Sequence, residues 1–97
     1  MQEYTAESFM EEAVRLLAER GKEYDSSRGE RSMAKTVALF NLRTGKDLTE
    51  AEGWIFLGYL KDVRQDSAGG THKDSAVDRI NYALLEAEAR FRERMNT

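Results

Sequence analysis

The chain has no cysteine, no proline and a single histidine in 97 residues. Without cysteine there is no disulfide framework, no thiolate nucleophile and no cysteine-ligated metal, which fits a reducing compartment. One histidine among scattered serines gives no basis for a serine triad. Long apolar runs are also missing, and the longest falls far short of the roughly 20 residues that cross a bilayer. The start, Met1-Gln2-Glu3-Tyr4, is acidic and lacks a signal-peptide core. A cytoplasmic protein with no membrane partner is therefore expected. Charge of one sign is lacking too: charged residues make up 34%, yet the net charge is -3. Interleaved signs argue against general nucleic-acid binding, whose footprint is a basic stripe. No Walker loop, dinucleotide fingerprint or zinc motif occurs, nor any strand-like alternation or internal repeat.

What is present is helical patterning in one small domain, residues 1–97 with an ordered core of about 5–91. The strip Gly53-Trp54-Ile55-Phe56-Leu57-Gly58-Tyr59-Leu60-Lys61-Asp62-Val63-Arg64 is the most apolar part of the chain. On a helix, Phe56, Leu60 and Val63 share one face, while Trp54, Leu57, Lys61 and Arg64 share roughly the opposite one. A helix apolar on both sides must be covered on both sides. We expect this to be the central helix, with its own chain on one face. A second copy or a ligand cleft would cover the other, which makes Trp54 and Leu57 the candidate interface.

Around it, Thr5 can cap a first helix over about 6–20, with Phe9, Ala13, Leu16 and Leu17 inward and Gly21 as C-cap. The polar stretch from Gly21 to Ser32 reads as a long loop. A second helix is expected over about 32–43, with Met33, Val37 and Phe40 inward. Thr49 and Glu52 form a capping box before the central helix, with Leu48 placed as a hydrophobic staple. The last helix should open at Thr71 or His72 and run to about Met95, with a seam of Val77, Ile80, Leu84, Ala87 and Phe91. Its Glu86–Arg90 and Glu88–Arg92 pairs lie in the favourable order. The expected fold is all-α, a small four-helix bundle with a long loop between helices 1 and 2.

Two constellations carry chemistry. Asp74 and Asp78, at i, i+4, have the type and spacing to hold magnesium against phosphate; alternatively Asp74 caps the helix and Asp78 is a charge favoured by the dipole. Lys61 and Arg64, at i, i+3, could clamp a phosphate, or neutralise the helix end, or pair with the two aspartates. His72 stands beside this cluster and is either a ligand or a plain surface side chain. Lys22, Tyr24 and Asp25 could contribute from the long loop, where Arg28, Gly29 and Arg31 only loosely suggest an anion-binding turn.

The series Arg20-Gly21-Lys22-Glu23-Tyr24-Asp25, Leu60-Lys61-Asp62-Val63-Arg64 and His72-Lys73-Asp74-Ser75, with Asp78 and Asn81-Tyr82, resembles small bacteriophage and prophage proteins. These are similar to the nucleotide-modification-associated domain family, and the likeness spans about residues 19–89. More distantly the chain resembles the all-α nucleoside-triphosphate pyrophosphohydrolases. Their Glu-Glu-x-x-Glu motif meets Glu11 and Glu12 here, but Arg15 replaces the third carboxylate. The resemblance implies a phage-type accessory protein in the host cytoplasm that binds a nucleotide or another phosphate-bearing small molecule. Lys61 and Arg64 would take the phosphate, Asp74 and Asp78 magnesium or a base or ribose edge, and His72 and Tyr24 the mouth. Two other readings stand beside it. One is an interaction module, homodimeric or larger, that inhibits a host protein. The other is a magnesium-dependent hydrolase, which the loss at Arg15 disfavours.

Overall fold

The computed structural model describes residues 4–24 and 32–95, with the backbone alone for 21–24. Four helices follow one another: α1 (Ala6–Tyr24), α2 (Met33–Thr44), α3 (Glu50–Ser67) and α4 (Lys73–Met95). The fold is all-α, as the patterning implies. No helix among the described residues is long and apolar enough to cross a membrane.

The helix ends follow local chemistry. Thr49 Oγ1 accepts from the Glu52 backbone N–H at 3.1 Å, and the Glu52 carboxylate accepts from the Thr49 N–H at 2.9 Å. This is the expected capping box. Leu48 does not act as a staple, because the position it would meet is Gly53, which has no side chain. The Asn41 amide instead brackets Leu48, donating to its carbonyl at 2.9 Å and accepting from its N–H at 2.8 Å. Gly45 ends α2 at φ 71, in the left-handed region that glycine enters without penalty. Gly21 was expected to end α1, but α1 runs through it to Tyr24. The remainder of the expected loop, residues 25–31, lies outside the described residues.

The packing order differs from the chain order. Among the described residues α1 packs on α4, α4 on α3, and α3 on α2. The hub is therefore α4 together with α3, rather than α3 alone. Met33, Val37, Ala51, Trp54, Leu85 and Ala89 form the core cluster, with Leu17, Leu48, Leu57 and Tyr82 packed against it. The α4 seam is rotated from the expected one. Leu84 and Phe91 are exposed, and Ser75, Asp78, Asn81, Leu85 and Ala89 face inward. Val77 is buried and Ile80 half-buried, as the apolar spacing leads one to expect, but Leu84, Ala87 and Phe91 lie outside because α4 there meets its neighbours through Asn81, Leu85 and Ala89.

The faces of α3 are likewise exchanged. Trp54 is 4% exposed and enclosed by its own chain. Glycine explains the choice. A Cβ at Gly53 would collide with the Met33 thioether and stand 2.9 Å from Val37 Cγ1, and one at Gly58 would touch the Arg79 side chain at 3.4 Å. The bare Gly53 lets α2 approach on the Trp54 side, whereas at Gly58 the nearest atoms belong to the flexible Arg79 side chain of α4, at ordinary contact range. The Asp62–Arg79 pair at 3.0 Å then crosses from α3 to α4.

Candidate functional site

Asp78 is the point where three helices meet electrostatically. Lys61 Nζ on α3 lies 2.9 Å from one carboxylate oxygen, and the Arg20 guanidinium on α1 lies 3.5 Å from the other. The Lys61 and Asp78 side chains are both nearly buried. Lys61 also stands 5.8 Å from the centroid of the Tyr82 ring, whose face attracts a cation. Tyr82 in turn packs against Trp54, with ring centroids 5.4 Å apart. Both oxygens of Asp78 are thus engaged by cations of its own chain.

The expected magnesium pair is therefore not assembled. Asp74 is exposed while Asp78 faces inward. Among the described residues no group of three or more histidine, cysteine or acidic side chains could hold a metal ion. The phosphate clamp also separates: Lys61 is committed to Asp78, whereas Arg64 is exposed to solvent. Lys22 and Tyr24 have side chains outside the described residues. Of the acids compared above with the pyrophosphohydrolase motif, Glu12 pairs with Lys73 on α4 at 3.0 Å, and Arg15 pairs with Glu19 at 3.0 Å.

His72 has a local structural task. Its carbonyl accepts from the Ala76 N–H at 3.1 Å, so it is the N-cap of α4. Its Nδ1 accepts from the Ser75 N–H at 3.3 Å and lies 2.6 Å from Ser75 Oγ. Both contacts are met when Nδ1 is unprotonated and the hydroxyl donates to it. The Gln65 side-chain oxygen accepts from the His72 N–H at 2.6 Å and ties the cap to α3. Beside this cap is a cleft of about 520 Å³, bordered by Tyr4, Phe9, Gln65, Thr71, His72 and Lys73.

The apolar surface lies elsewhere. Phe56, Tyr59, Leu60 and Val63 are 69%, 59%, 41% and 60% exposed. Their i, i+3, i+4, i+7 spacing makes them one continuous stripe on the outer side of α3. Phe56 also borders a groove of about 580 Å³ between α2 and α3, with Trp54 and Leu57 on one side and Val37 and Phe40 on the other. Trp54 and Leu57, expected at a subunit interface, thus belong to the core and to a groove wall, and the open face is the one expected to be covered.

Three features escape sequence reasoning. Arg20 joins Asp78 across 58 positions, and no local pattern carries such a link. Ser75 and Asn81 are polar residues buried beside the apolar seam, where periodicity places no core. Asn81 is 2% exposed, and neither polar atom of its side chain has a hydrogen-bond partner. A fourth residue, Tyr59, did offer a signal, as a large ring aligned with Phe56 and Val63. In comparisons with known proteins, no family model, curated protein or solved structure matches this chain.

Proposed function

We propose that the chain is a protein-interaction module that offers the outer face of α3 and the adjoining α2 groove to another protein. The observation that carries this reading is the stripe Phe56, Tyr59, Leu60 and Val63, left open on a chain that buries Trp54 inside itself. The two rings alone leave roughly 250 Å² in water, about a third of what one partner gives to a standard interface. Contiguous apolar surface of this kind marks contact sites on soluble domains. The Lys61–Asp78 pair supports this reading over an anion clamp, since the lysine already faces a carboxylate. The resemblance to phage accessory proteins makes a host protein, held and inhibited, the partner class, with a twin subunit as the other candidate.

A photo-crosslinking residue at position 60, introduced in the producing cell, tests this. It is expected to trap one defined protein, while the same residue at exposed Ala83 on α4 traps none. Phe56→Asp should abolish the adduct without loss of helical signal. Equal labelling from both positions would remove the reading, and an adduct to a second copy would make the partner a twin subunit.

A nucleotide reading rests on a different observation, the cleft beside the α4 cap. Its volume of about 520 Å³ falls in the usual range for small-molecule sites, and His72 and Lys73 border it. Mono-, tri- and cyclic dinucleotides, with and without magnesium, should raise the melting temperature if it binds them. A flat response across that panel ends this second reading.

A further inference from the structure

We infer that the groove between α2 and α3 receives an acidic amphipathic helix of about three turns from the partner. This rests on the interaction reading above and names the chemistry of what is bound.

The first argument is shape. The α2 wall of the groove runs from Ser32 to Phe40, and Leu48, folded back beside Asn41, closes it. At about 1.5 Å per residue that wall is about 12 Å long, room for the i to i+7 anchors of a helix of about three turns laid alongside. Its lining is almost wholly apolar: Val37 and Phe40 face Phe56 and Leu57 across a floor that includes Trp54. A nucleotide would find few polar partners there. An apolar helical ridge with anchors at i, i+3 or i+4, and i+7 would fill it.

The second argument is charge. α2 carries no carboxylate; its Arg43 lies on the groove side, Lys46 follows in the turn, and Lys35 lies on the opposite side of the helix. Arg43 follows Phe40 by three positions and Thr36 by seven, which puts it on the ridge bounding the groove. Arg64 follows Leu60 by four and Leu57 by seven, so it continues the opposite wall past its apolar part. Arg43, Lys46 and Arg64 are exposed, and none of the three is paired with a carboxylate among the described residues. The nearby acids are fewer: Asp47 lies in the turn, and Glu52 is held by its capping box. A helix with acidic flanks meets attraction along this rim, whereas a basic one meets repulsion.

The test uses the full chain and two synthetic peptides of about three turns, with the same leucine ridge and either glutamate or lysine flanks. Trp54 is the sole tryptophan and borders the groove, so its emission reports occupancy. The glutamate peptide should shift that emission and bind at least about tenfold tighter than its lysine twin. The preference should shrink in high salt and in the Arg43→Glu, Lys46→Glu double variant, whose changes sit on exposed positions and spare the core. Equal or tighter binding of the lysine peptide overturns the inference, as does binding that leaves Trp54 unchanged. Binding of neither peptide also overturns it, while the position-60 adduct can still stand. Absence of that adduct is what removes the interaction reading itself. Sedimentation showing a dimer that masks Trp54 would put a second copy in the groove and overturn the acidic-partner assignment.

Discussion

The Lys61 ammonium stands 2.9 Å from the Asp78 carboxylate, joining α3 to α4 at a place water scarcely reaches. Arg20 approaches the same carboxylate from α1, so one acid links three of the four helices. Residues of these types and spacings also suit an anion site. What separates the two roles is that the opposite charges here face each other and satisfy one another.

Removing the acid should therefore cost more than removing the lysine. Asp78→Ala leaves Lys61 nearly buried and uncompensated, and about 3–5 kcal/mol of stability should be lost. Lys61→Met keeps Arg20 on the carboxylate, and a loss of about 2 kcal/mol is expected. Urea unfolding measures both, and the double change Lys61→Met, Asp78→Leu should recover much of the loss. If Lys61→Met proves the costlier single change, the hub assignment fails.

Asn81 is a position where a polar side chain lowers stability. Both of its polar atoms are buried without a partner among the described residues, so Asn81→Leu, which keeps the branching and heavy-atom count, should raise stability by roughly 1–2 kcal/mol. Thermal melting reads this directly. A lower melting temperature would show that the amide has a bonding role in solution.

The two buried glycines of α3 should respond in opposite directions to alanine. At Gly53 the new Cβ collides with Met33 and Val37, so Gly53→Ala should lose about 1–3 kcal/mol as α2 is pushed outward. At Gly58 the nearest atoms belong to the long Arg79 side chain, and Gly58→Ala should gain about 0.5–1 kcal/mol from helix propensity. Chemical denaturation of the pair decides this, and a gain at Gly53 would refute the close approach of α2.

His72 can be tested as a cap independently of any ligand. His72→Ala should cost about 1 kcal/mol, and His72→Asn should restore it, because asparagine is among the best N-caps. Equal stability of the alanine variant and the parent would mean that the bonds to Ser75 contribute nothing.

Much of the fold was legible because helix ends are written in neighbouring residues. The capping box at Thr49 and Glu52, the glycine stop at Gly45 and the Glu86–Arg90 pair at 2.9 Å all act within a turn or so of sequence. The candidate site was legible only in part. Lys61 and Asp78 do meet, as one of the open alternatives had it, but Asp74 and Arg64 point away from any shared centre into solvent. The seam of α4 was misread because period alone cannot tell that Ser75, Asp78 and Asn81 face inward while Leu84 and Phe91 face water.

By itself, the sequence determined four helices and most of their limits, since caps, breakers and i, i+4 pairs need only the local chain. The tertiary structure decided which side of α3 is hidden. That helix is apolar around much of its circumference, so either burial would satisfy its own hydrophobic demand. The choice fell to the side where Gly53 leaves room for α2, and it left Phe56, Tyr59, Leu60 and Val63 facing outward.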